Sequence, residues 1–334
     1  MPVINRFVLA LFLAVTGMPA YAELAEINVA QQYGVSFLPL MVMERDKLVE
    51  KHAKAAGLSD VKVNWVKVAG PSVMNDGVIS GAIQFIAVGA PSLITLWDKT
   101  QSNVQVKGLS AMTTYPLYLN VRNPSIKSIR DFSDKDKIAV PSIKVSTQAI
   151  MLQMAAAKEF GDAKYNALDH LTVSMSHPDA TAAMLGGQSE ITANFSSAPF
   201  QYRQMKNPNV KLLLNSKDLF LDDPMSFNIV AATSKFRADN PKLYAAFVAG
   251  MKEATDIINA DKRKGAEIYL KSTGEKTSVD DIMDVLADKD IIYNNKVGGI
   301  RTFVNFMSKT GTLKNPPADW KDMFFPEAMA GVGG

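Results

Sequence analysis

The side chains that most often perform catalysis or hold metal ions are few and scattered in this sequence. The chain contains three histidines, His52, His170 and His177, in unrelated contexts, and no cysteine. No HExxH pair suits a zinc ion, and neither a G-x-S-x-G nucleophile elbow nor a GxxxxGK[ST] phosphate loop is present. The acid pairs at 222–223 and 280–281 adjoin turns and helix starts, where acids favour capping. We expect no enzyme and no metal site, although a hydrolase that uses scattered acids is left open.

Small, hydroxyl-bearing and aromatic residues recur where a predicted strand ends and a helix begins. A helix N-terminus presents free N–H groups and a partial positive charge, so it binds anions without a charged side chain. In parallel sheets, ligands lie beyond the carboxyl ends of the strands. The pattern favours a cleft for a small polar solute, unless each residue only caps a helix or forms a turn. The five segments are Gln31–Tyr33, Gly70–Ser72, Gly89–Pro91, Ser146–Gln148 and Phe195–Ser197.

The elements that must position these segments alternate between strands and helices. Period-two or apolar runs predict the strands, and Gly, Pro or Ser residues predict the helix starts between them. The first helix is expected from Leu40 to Ala56. Such alternation predicts an α/β fold with largely parallel sheets. Strands are expected at 26–30, 61–68, 82–88, 137–142, 171–175, 191–195 and 227–233, and the helices of the last third near 241–260, 262–271, 279–286 and 296–309.

An internal similarity predicts two lobes of the same design. Val78–Pro91 and Met184–Pro199 both contain a helix end, a glycine, a strand and an Ala-Pro helix start. The alternative is a coincidence of common glycine and proline turns. No Ser/Gly linker separates the halves, so the chain is expected to cross between lobes on strands, with Thr113–Val121 and Met225–Thr233 as candidates. The expected first lobe is 23–114 with 230–334, and the expected second lobe is 115–229.

Composition and the N-terminus indicate an exported protein. Lys+Arg 36 against Asp+Glu 33 gives a net charge of +3, which does not support nucleic-acid binding. The lack of cysteine excludes disulfides, thiol nucleophiles and a lipid anchor through cysteine. Arg6, the apolar run Phe7–Val15 and the Ala20–Ala22 motif predict a signal peptide over residues 1–22, cleaved after Ala22. An N-terminal membrane anchor is the alternative, but the run is shorter than the roughly 20 residues of a span.

Four short motifs follow one another along the chain: Gln32-Tyr33-Gly34 with Leu38-Pro39-Leu40 and Glu44, then Gly81–Pro91, then Val140–Gly161, then His177–Ala180 with Gly187. In this order they resemble the nitrate-, sulfonate- and taurine-type solute-binding proteins of ABC importers, a group that includes binders of thiamine-pyrimidine precursors. The resemblance covers most of residues 26–325. It implies the two-lobed type II periplasmic-binding-protein architecture, joined by two crossing strands and closing on a ligand about a hinge.

The resemblance also implies which residues surround the cleft. The aromatic members Tyr33, Phe37, Tyr115 and Phe227 would sandwich a flat or alkyl part of the ligand, or else belong to the core. Lys144 is the only cation in the anion loop of the second lobe, so a sulfonate or nitrate and a larger organic ligand are both left open. The family's cysteine-dependent synthesis of the thiamine pyrimidine is excluded. The matching positions are Gln32, Tyr33, Phe37, Ser72, Gly89, Ala90, Tyr115, Ser142, Ser146, Thr147, Asn194 and Phe227.

The sequence therefore predicts a periplasmic substrate-binding component of an ABC transporter. The expected partners are a membrane ABC permease and a small organic ligand, which is sulfonate- or taurine-like, nitrate-like, or aromatic or heterocyclic. We expect a monomer without a cofactor. A solute sensor or a receptor of another transporter class is the alternative, and a periplasmic hydrolase is a more remote one.

Overall fold

The computed structural model describes residues 22–187, 189–219 and 225–329. The predicted signal peptide up to Tyr21 and the acid pair at 222–223 lie outside the described residues. The strands are Glu26–Gln31 (β1), Lys62–Lys67 (β2), Phe85–Val88 (β3), Val106–Thr114 (β4), Tyr118–Val121 (β5), Lys137–Val140 (β6), Thr172–Ser174 (β7), Ile191–Ser196 (β8), Lys211–Asn215 (β9), Ser226–Thr233 (β10) and Ile292–Tyr293 (β11).

The helices lie mostly between these strands and in the last third of the chain. They are Leu38–Asp46 (α1), Leu48–Ala55 (α2), Pro71–Ser80 (α3), Ala90–Thr100 (α4), Thr147–Phe160 (α5), His177–Gly186 (α6), Phe200–Met205 (α7), Ser234–Asp239 (α8), Pro241–Ala260 (α9), Lys262–Thr273 (α10), Val279–Leu286 (α11) and Ile300–Lys309 (α12). Within the described ranges, no helix combines the length and apolar character that a membrane span requires.

The strands form two mixed sheets. The first has the order β11-β4-β10-β3-β1-β2, and the second has the order β7-β6-β8-β5-β9. Strand β1 pairs in parallel with β2 and β3, and β6 does so with β7 and β8. The other pairings are antiparallel, so the expectation of largely parallel sheets is wrong. The chain enters β5 from the first sheet and β10 from the second sheet. Because it arrives from the other sheet, each of these strands runs opposite to its neighbours.

The two sheets repeat one plan. Without the edge strand β11, the first sheet in the order β2-β1-β3-β10-β4 has the same succession of pairings as the second sheet in the order β7-β6-β8-β5-β9. In each sheet, two parallel pairings are followed by two antiparallel pairings. The similar segments Val78–Pro91 and Met184–Pro199 occupy matching places in this plan. Each runs from a helix end through a left-handed glycine, Gly81 or Gly187 with φ 77°, into β3 or β8. The internal similarity of the sequence therefore corresponds to two lobes of the same topology.

The chain passes between the sheets twice. Strand β4 ends at Thr114 in the first sheet and β5 begins at Tyr118 in the second, so this crossing lies within the predicted Thr113–Val121. The return crossing precedes β10, because β10 pairs from Ser226 onward with strands of the first sheet. The predicted lobe boundary at 229–230 falls inside β10, and the boundaries of the lobes themselves stay a prediction.

The single helix expected over Leu40–Ala56 is two helices in the structure. Lys47 separates α1 from α2 with a left-handed φ of 50°. This turn lets both helices pack against α9. Gly250 of α9 leaves room there, since a Cβ at this position would lie 3.2 Å from Met43 Cε and 3.4 Å from Leu48 Cβ. The two helices and α9 thereby cover the sheet that carries β1 and β3, whose ends face the second lobe.

The first residues of the expected mature chain are tied to α9. Glu23 accepts hydrogen bonds from the backbone N–H groups of Lys242 (3.0 Å) and Leu243 (2.7 Å), and Leu24 N–H donates to Asn240 Oδ1 at 2.8 Å. A carboxylate at a helix N-terminus satisfies free N–H groups and interacts favourably with the helix dipole.

We therefore expect Glu23→Ala to lower the free energy of unfolding of the mature protein by about 1 kcal/mol, a typical value for loss of a helix cap. Urea denaturation measures this loss. The control is Glu190→Ala, at an exposed position before β8, which should change stability little. Equal effects of the two substitutions would contradict a capping role for Glu23.

Candidate functional site

The two lobes meet where the parallel strands of both sheets end. The loops after β1, β2 and β3 each bring a glycine against a loop of the second lobe, and we call this surface the inter-lobe seam. A Cβ atom on these glycines would lie 2.8 Å from Ala198 O at Gly34, 2.4 Å from Pro141 O at Gly70 and 1.7 Å from Thr147 Oγ1 at Gly89. The lobes thus touch backbone to backbone at Gly34 and Gly70 and backbone to side chain at Gly89. A hydrogen bond from Val35 N–H to Ala198 O at 3.1 Å also joins them.

Three of the predicted site residues meet at one point of the seam. A Cβ on Gly89 would lie 3.1 Å from Thr147 Cβ and 3.4 Å from Phe227 O. The ring of Phe227 contacts that of Tyr115, with ring centroids 5.0 Å apart and planes inclined by 58°. Ala90, the first residue of α4, is buried beside Gly89. This point of the seam therefore lies between the N-terminus of α4, the N-terminus of α5 and this aromatic pair.

Two predicted serines lie around the contact of Gly70 with the second lobe. A Cβ on Gly70 would be 2.6 Å from Ser142 Oγ, and the half-buried Ser72 is two residues further along the chain. Ser146 caps α5 by accepting from Ala149 N–H at 3.3 Å, and its hydroxyl donates to Ser142 O at 2.8 Å. The Ser146 hydroxyl is therefore engaged in shaping the loop before α5.

Other predicted residues lie farther from these contacts. Gln32 is directed at α3, where its Nε2 lies 3.9 Å from Met74 Sδ, while Tyr33 is half-buried and Phe37 belongs to the hydrophobic core. Asn194 is the direct partner of Asn120 in the pairing of β8 with β5, so the two side chains share one face of the sheet. Asn120 donates there to Gln204 of α7 at 3.0 Å, which places Asn194 within the second lobe beneath α7.

The structure also brings forward residues that sequence reasoning did not select. The side-chain oxygens of Thr113 and Ser196 are buried without a hydrogen-bond partner in the described part of the protein, and the buried Ser197 hydroxyl lies beside that of Tyr115. Ser196 and Ser197 belong to one of the strand-end segments, so a signal for them was present. Thr113 gave none, because a lone threonine in a strand is a common pattern. Gly34 and Gly70 belong to segments that the sequence pattern singled out, but the sequence did not show which residues of the second lobe they contact.

The seam carries little charge. Among the described residues, the buried side chains include one acid, Asp136, and one histidine, His177, but no lysine, arginine or glutamate. Lys144 of the anion loop is exposed and has a left-handed φ of 59°. No group of three or more histidine, aspartate and glutamate side chains within the described ranges is placed to hold a metal ion. The chemistry of the seam is therefore that of hydroxyls, amides, aromatic rings and backbone dipoles.

Burial shifts the pKa of Tyr115 at the seam and of His177 within the second lobe. It raises the pKa of Tyr115 far above its usual range, and the nearby hydroxyls of Ser36 and Ser197 offset this only in part. It also lowers the pKa of His177 to about 4, because the ring is enclosed in the second lobe. The His177 ring stacks on Phe200, with centroids 5.8 Å apart and planes at 17°. Both side chains are therefore neutral near pH 7, and the Tyr115 hydroxyl keeps its proton.

A strip of ion pairs joins the lobes beside the seam. We call it the charged strip, and in it the second lobe supplies the cations and the first lobe the acids. Tyr202 of α7 adds a hydrogen bond from its hydroxyl to Asp288 Oδ2 at 2.5 Å. Asp281 also forms the capping box of α11 with Ser278, as expected for an acid at a helix start. The ion pairs are Arg203–Glu275, Lys206–Asp281 and Lys217–Asp290.

We expect the Arg203–Glu275 pair to couple the lobes weakly. A double-mutant cycle with Arg203→Ala and Glu275→Ala should give a coupling of about 0.5–1 kcal/mol in the free energy of unfolding, typical of a partly exposed pair. In about 1 M salt, where the screening length is about 3 Å, this coupling should shrink. Denaturation at low and high salt measures it, and the matched control is the exposed Lys252–Asp256 pair within α9. A coupling that does not respond to salt would contradict an electrostatic role.

Comparison with known proteins agrees with this architecture. The sequence model of the NMT1-like family matches residues 21–270. Comparison with proteins of curated function gave no match. Among solved structures, the chain is similar to the alkanesulfonate-binding protein SsuA from Xanthomonas axonopodis pv. citri bound to MOPS, with a TM-score of 0.69 and 13% identity over 92% of this chain and 98% of that chain.

Two further structures show the same likeness. The periplasmic aliphatic sulphonate-binding protein SsuA from Escherichia coli has a TM-score of 0.64 and 15% identity, over 91% of this chain and 92% of that chain. The periplasmic nitrate-binding protein NrtA from Synechocystis PCC 6803 has a TM-score of 0.65 and 13% identity, over 90% of this chain and 84% of that chain. At such identities the likeness establishes the fold, which is the two-lobed periplasmic-binding-protein fold.

Proposed function

This chain belongs to the NMT1-like family, and from this membership we propose that it is the periplasmic substrate-binding component of an ABC transporter. It would capture a small organic solute as its two lobes close. The inter-lobe seam carries this proposal, because Gly34 and Gly70 place the backbones of the two lobes in direct contact at the strand ends and Gly89 lies against the Thr147 side chain. The sulfonate- and nitrate-binding proteins among the similar structures support it.

We propose the predicted site residues as the ligand contacts of this cleft. Those at the seam would touch the ligand directly: Ser72, Gly89, Ala90, Tyr115, Ser142, Thr147 and Phe227. The remaining five, Gln32, Tyr33, Phe37, Ser146 and Asn194, would shape the cleft from the layer behind. No catalytic step is assigned to any of them.

The setting is part of the same proposal. The precursor would be exported by a signal peptide and cleaved after Ala22, and the mature chain would begin at Glu23, which the structure shows bound to α9. The mature protein would act as a periplasmic monomer that delivers its ligand to a membrane ABC permease.

A ligand screen tests the function. The mature protein should show a higher melting temperature with one of a panel of sulfonates, nitrate, aromatic carboxylates and pyrimidines, because a ligand that binds only the folded state stabilises it. Small-angle scattering should then report a smaller radius of gyration with that ligand. If no compound raises the melting temperature and scattering shows no closure, the proposal fails. A gene placed beside a sensor kinase, and not beside permease and ATPase genes, would contradict the transport role.

We expect Ser146→Ala combined with Thr147→Ala to weaken ligand binding at least about tenfold, the effect of about 1.4 kcal/mol. The pair should also lower the free energy of unfolding by about 1 kcal/mol, because Ser146 caps α5. Titration calorimetry and urea denaturation measure the two effects. Thr233→Ala, which removes the cap of α8 away from the seam, is the control with a similar stability loss and unchanged affinity. An affinity equal to that of the control would remove both residues from the site.

A further inference from the structure

Opposite charges face each other all along the charged strip. In every pair the cation belongs to the second lobe and the acid to the first. Because the polarity is the same throughout, each charge also attracts the partners of its neighbours, and such a network contributes more than isolated surface pairs do. The three ion pairs are Arg203–Glu275 at 2.5 Å, Lys206–Asp281 at 2.5 Å and Lys217–Asp290 at 2.8 Å.

Contacts within each lobe hold these side chains in place. Glu275 Oε1 accepts a hydrogen bond from the hydroxyl of the buried Tyr269 at 2.7 Å, and Asp281 is fixed by the capping box of α11. Across the gap, the Arg203 guanidinium lies over the ring of Phe200, 5.5 Å from its centroid. An exposed ion pair gains little when two mobile side chains must first be ordered. Here that ordering is largely done within each lobe.

The strip lies between the chain crossing and the seam. Tyr202 of α7 contacts the ring of Tyr118, the first residue after the crossing, with centroids 5.6 Å apart. Two residues before α7, the Ala198 carbonyl accepts the hydrogen bond from Val35 N–H at the seam. Since each ion pair has one member on either lobe, a rotation of the lobes about the crossing separates the charges.

The acids of the strip all lie in the last part of the chain. The match to the NMT1-like family model ends at residue 270. The acidic half of the strip is therefore not part of the sequence pattern that this chain shares with the family. The acids beyond this point are Glu275, Asp281, Asp288 and Asp290.

Another ion pair, between Lys309 of α12 and Asp162 after α5, also joins the lobes. Its polarity is the reverse of that in the strip, because here the first lobe supplies the cation. The two side chains are 59% and 61% exposed, and such an isolated pair contributes little. The strip is therefore the stronger electrostatic link between the lobes.

From these contacts we propose that the charged strip is an electrostatic latch on lobe closure. In dilute salt it favours the closed form. In concentrated salt, where charges are screened within about 3 Å, it releases the lobes. The apparent affinity for a solute follows the population of the form that binds it, so ionic strength would regulate capture whatever the charge of the solute. The latch rests on the proposed function only in that the lobes open and close.

Pulsed electron paramagnetic resonance on the mature protein without added solute tests the latch. The chain has no cysteine, so spin labels attach only to those introduced by Lys54→Cys in α2 and Lys135→Cys before β6. Both positions are exposed, and there is one on each lobe. Between about 0.05 M and about 1 M sodium chloride, the ratio of long to short inter-lobe distances should rise about threefold to tenfold. A ratio that does not respond to salt would overturn the proposal.

Variants of the strip link this response to its charges. Arg203→Gln combined with Lys206→Gln should raise the same ratio about threefold to tenfold in dilute salt and remove most of the salt response. Lys252→Gln, which removes an exposed ion pair within α9, is the matched control and should leave the distances unchanged. Equal distance distributions in the double variant and the control would refute the latch.

A charge swap separates charge from packing. Lys217→Asp places an acid against Asp290 and should favour the open form, whereas the added substitution Asp290→Lys should restore the closed form in dilute salt. If the swap does not restore it, contacts other than charge hold the lobes and the proposal is wrong. None of these measurements needs a solute, so the latch can fail while the proposed function stands, and the ligand screen decides the function separately.

Discussion

Gly70→Ala should lower ligand affinity by up to about a hundredfold with only a small loss of stability of the unliganded protein. The added methyl would lie 2.4 Å from Pro141 O and 3.1 Å from Pro141 C, and these backbone atoms cannot rotate away. Forcing an extra carbon into a close contact typically costs 1–3 kcal/mol, and the apparent affinity falls with the population of the closed form. Gly70 is extended, with φ −164°, so alanine fits the backbone there, and since Gly70 is the N-cap of α3 the substitution should lower the free energy of unfolding by no more than about 1 kcal/mol.

The different sizes of these two effects make the test specific. Titration calorimetry should show binding weakened by up to about a hundredfold, while urea denaturation shows a loss of no more than about 1 kcal/mol. Gly186→Ala, at the end of α6 where no atom lies within 4 Å of the added carbon, should leave affinity unchanged. If Gly70→Ala binds as tightly as Gly186→Ala, the contact between Gly70 and Pro141 is not part of the ligand-bound form.

Acid should destabilise the protein through His177 well before most carboxylates titrate. Burial lowers the pKa of His177 from 6.5 to about 4. Between these two values the unfolded chain binds a proton that the folded protein does not, so the free energy of unfolding falls as the pH drops through this window. At about 1.4 kcal/mol for each pKa unit, the loss approaches roughly 3 kcal/mol near pH 4.

Urea denaturation between pH 7 and 4.5 measures this loss. His177→Gln removes the titrating group, so its stability should depend less steeply on pH than that of the wild type. His170→Gln is the control, because the His170 side chain is 59% exposed beside Asp134 and should leave the pH dependence close to that of the wild type. Parallel curves for the wild type and His177→Gln would show that another group causes the acid loss.

The strands that could be predicted from sequence are those with regular patterns. The runs around β1, β2 and β8 alternate or are apolar, and the structure has strands there. The expectation missed most of β4, which lies inside the first sheet, and all of β9 and β11. The last two lie at the edges of the sheets and leave side chains such as Leu212, 41% exposed, in solvent. Strand direction could not be predicted, because it depends on which lobe the chain has just left.

The types of residue at the site could be predicted from the sequence, but the contacts between these residues could not. Glycine, serine and threonine at strand ends indicated a cleft, and Gly89, Thr147 and Phe227 do lie together. The contact of Gly70 with Pro141 joins two lobes whose relative placement no local pattern encodes. The family resemblance implied that Asn194 borders the cleft, whereas its pairing with Asn120 places it inside the second lobe.

The strand order of the two sheets determines which lobe can complete its sheet first as the chain emerges from a ribosome or an export channel. All strands of the second sheet, β5 to β9, are contiguous in the chain, so that sheet has every strand once residue 215 has emerged. In the first sheet, β10 lies between β3 and β4, which do not pair with each other. The first lobe therefore begins to emerge before the second lobe but completes its sheet after it. The place of β10 in that sheet stays empty until Thr233 has emerged. During that interval the edges of β3 and β4 expose unpaired backbone groups, which are sites where other chains can pair and aggregate.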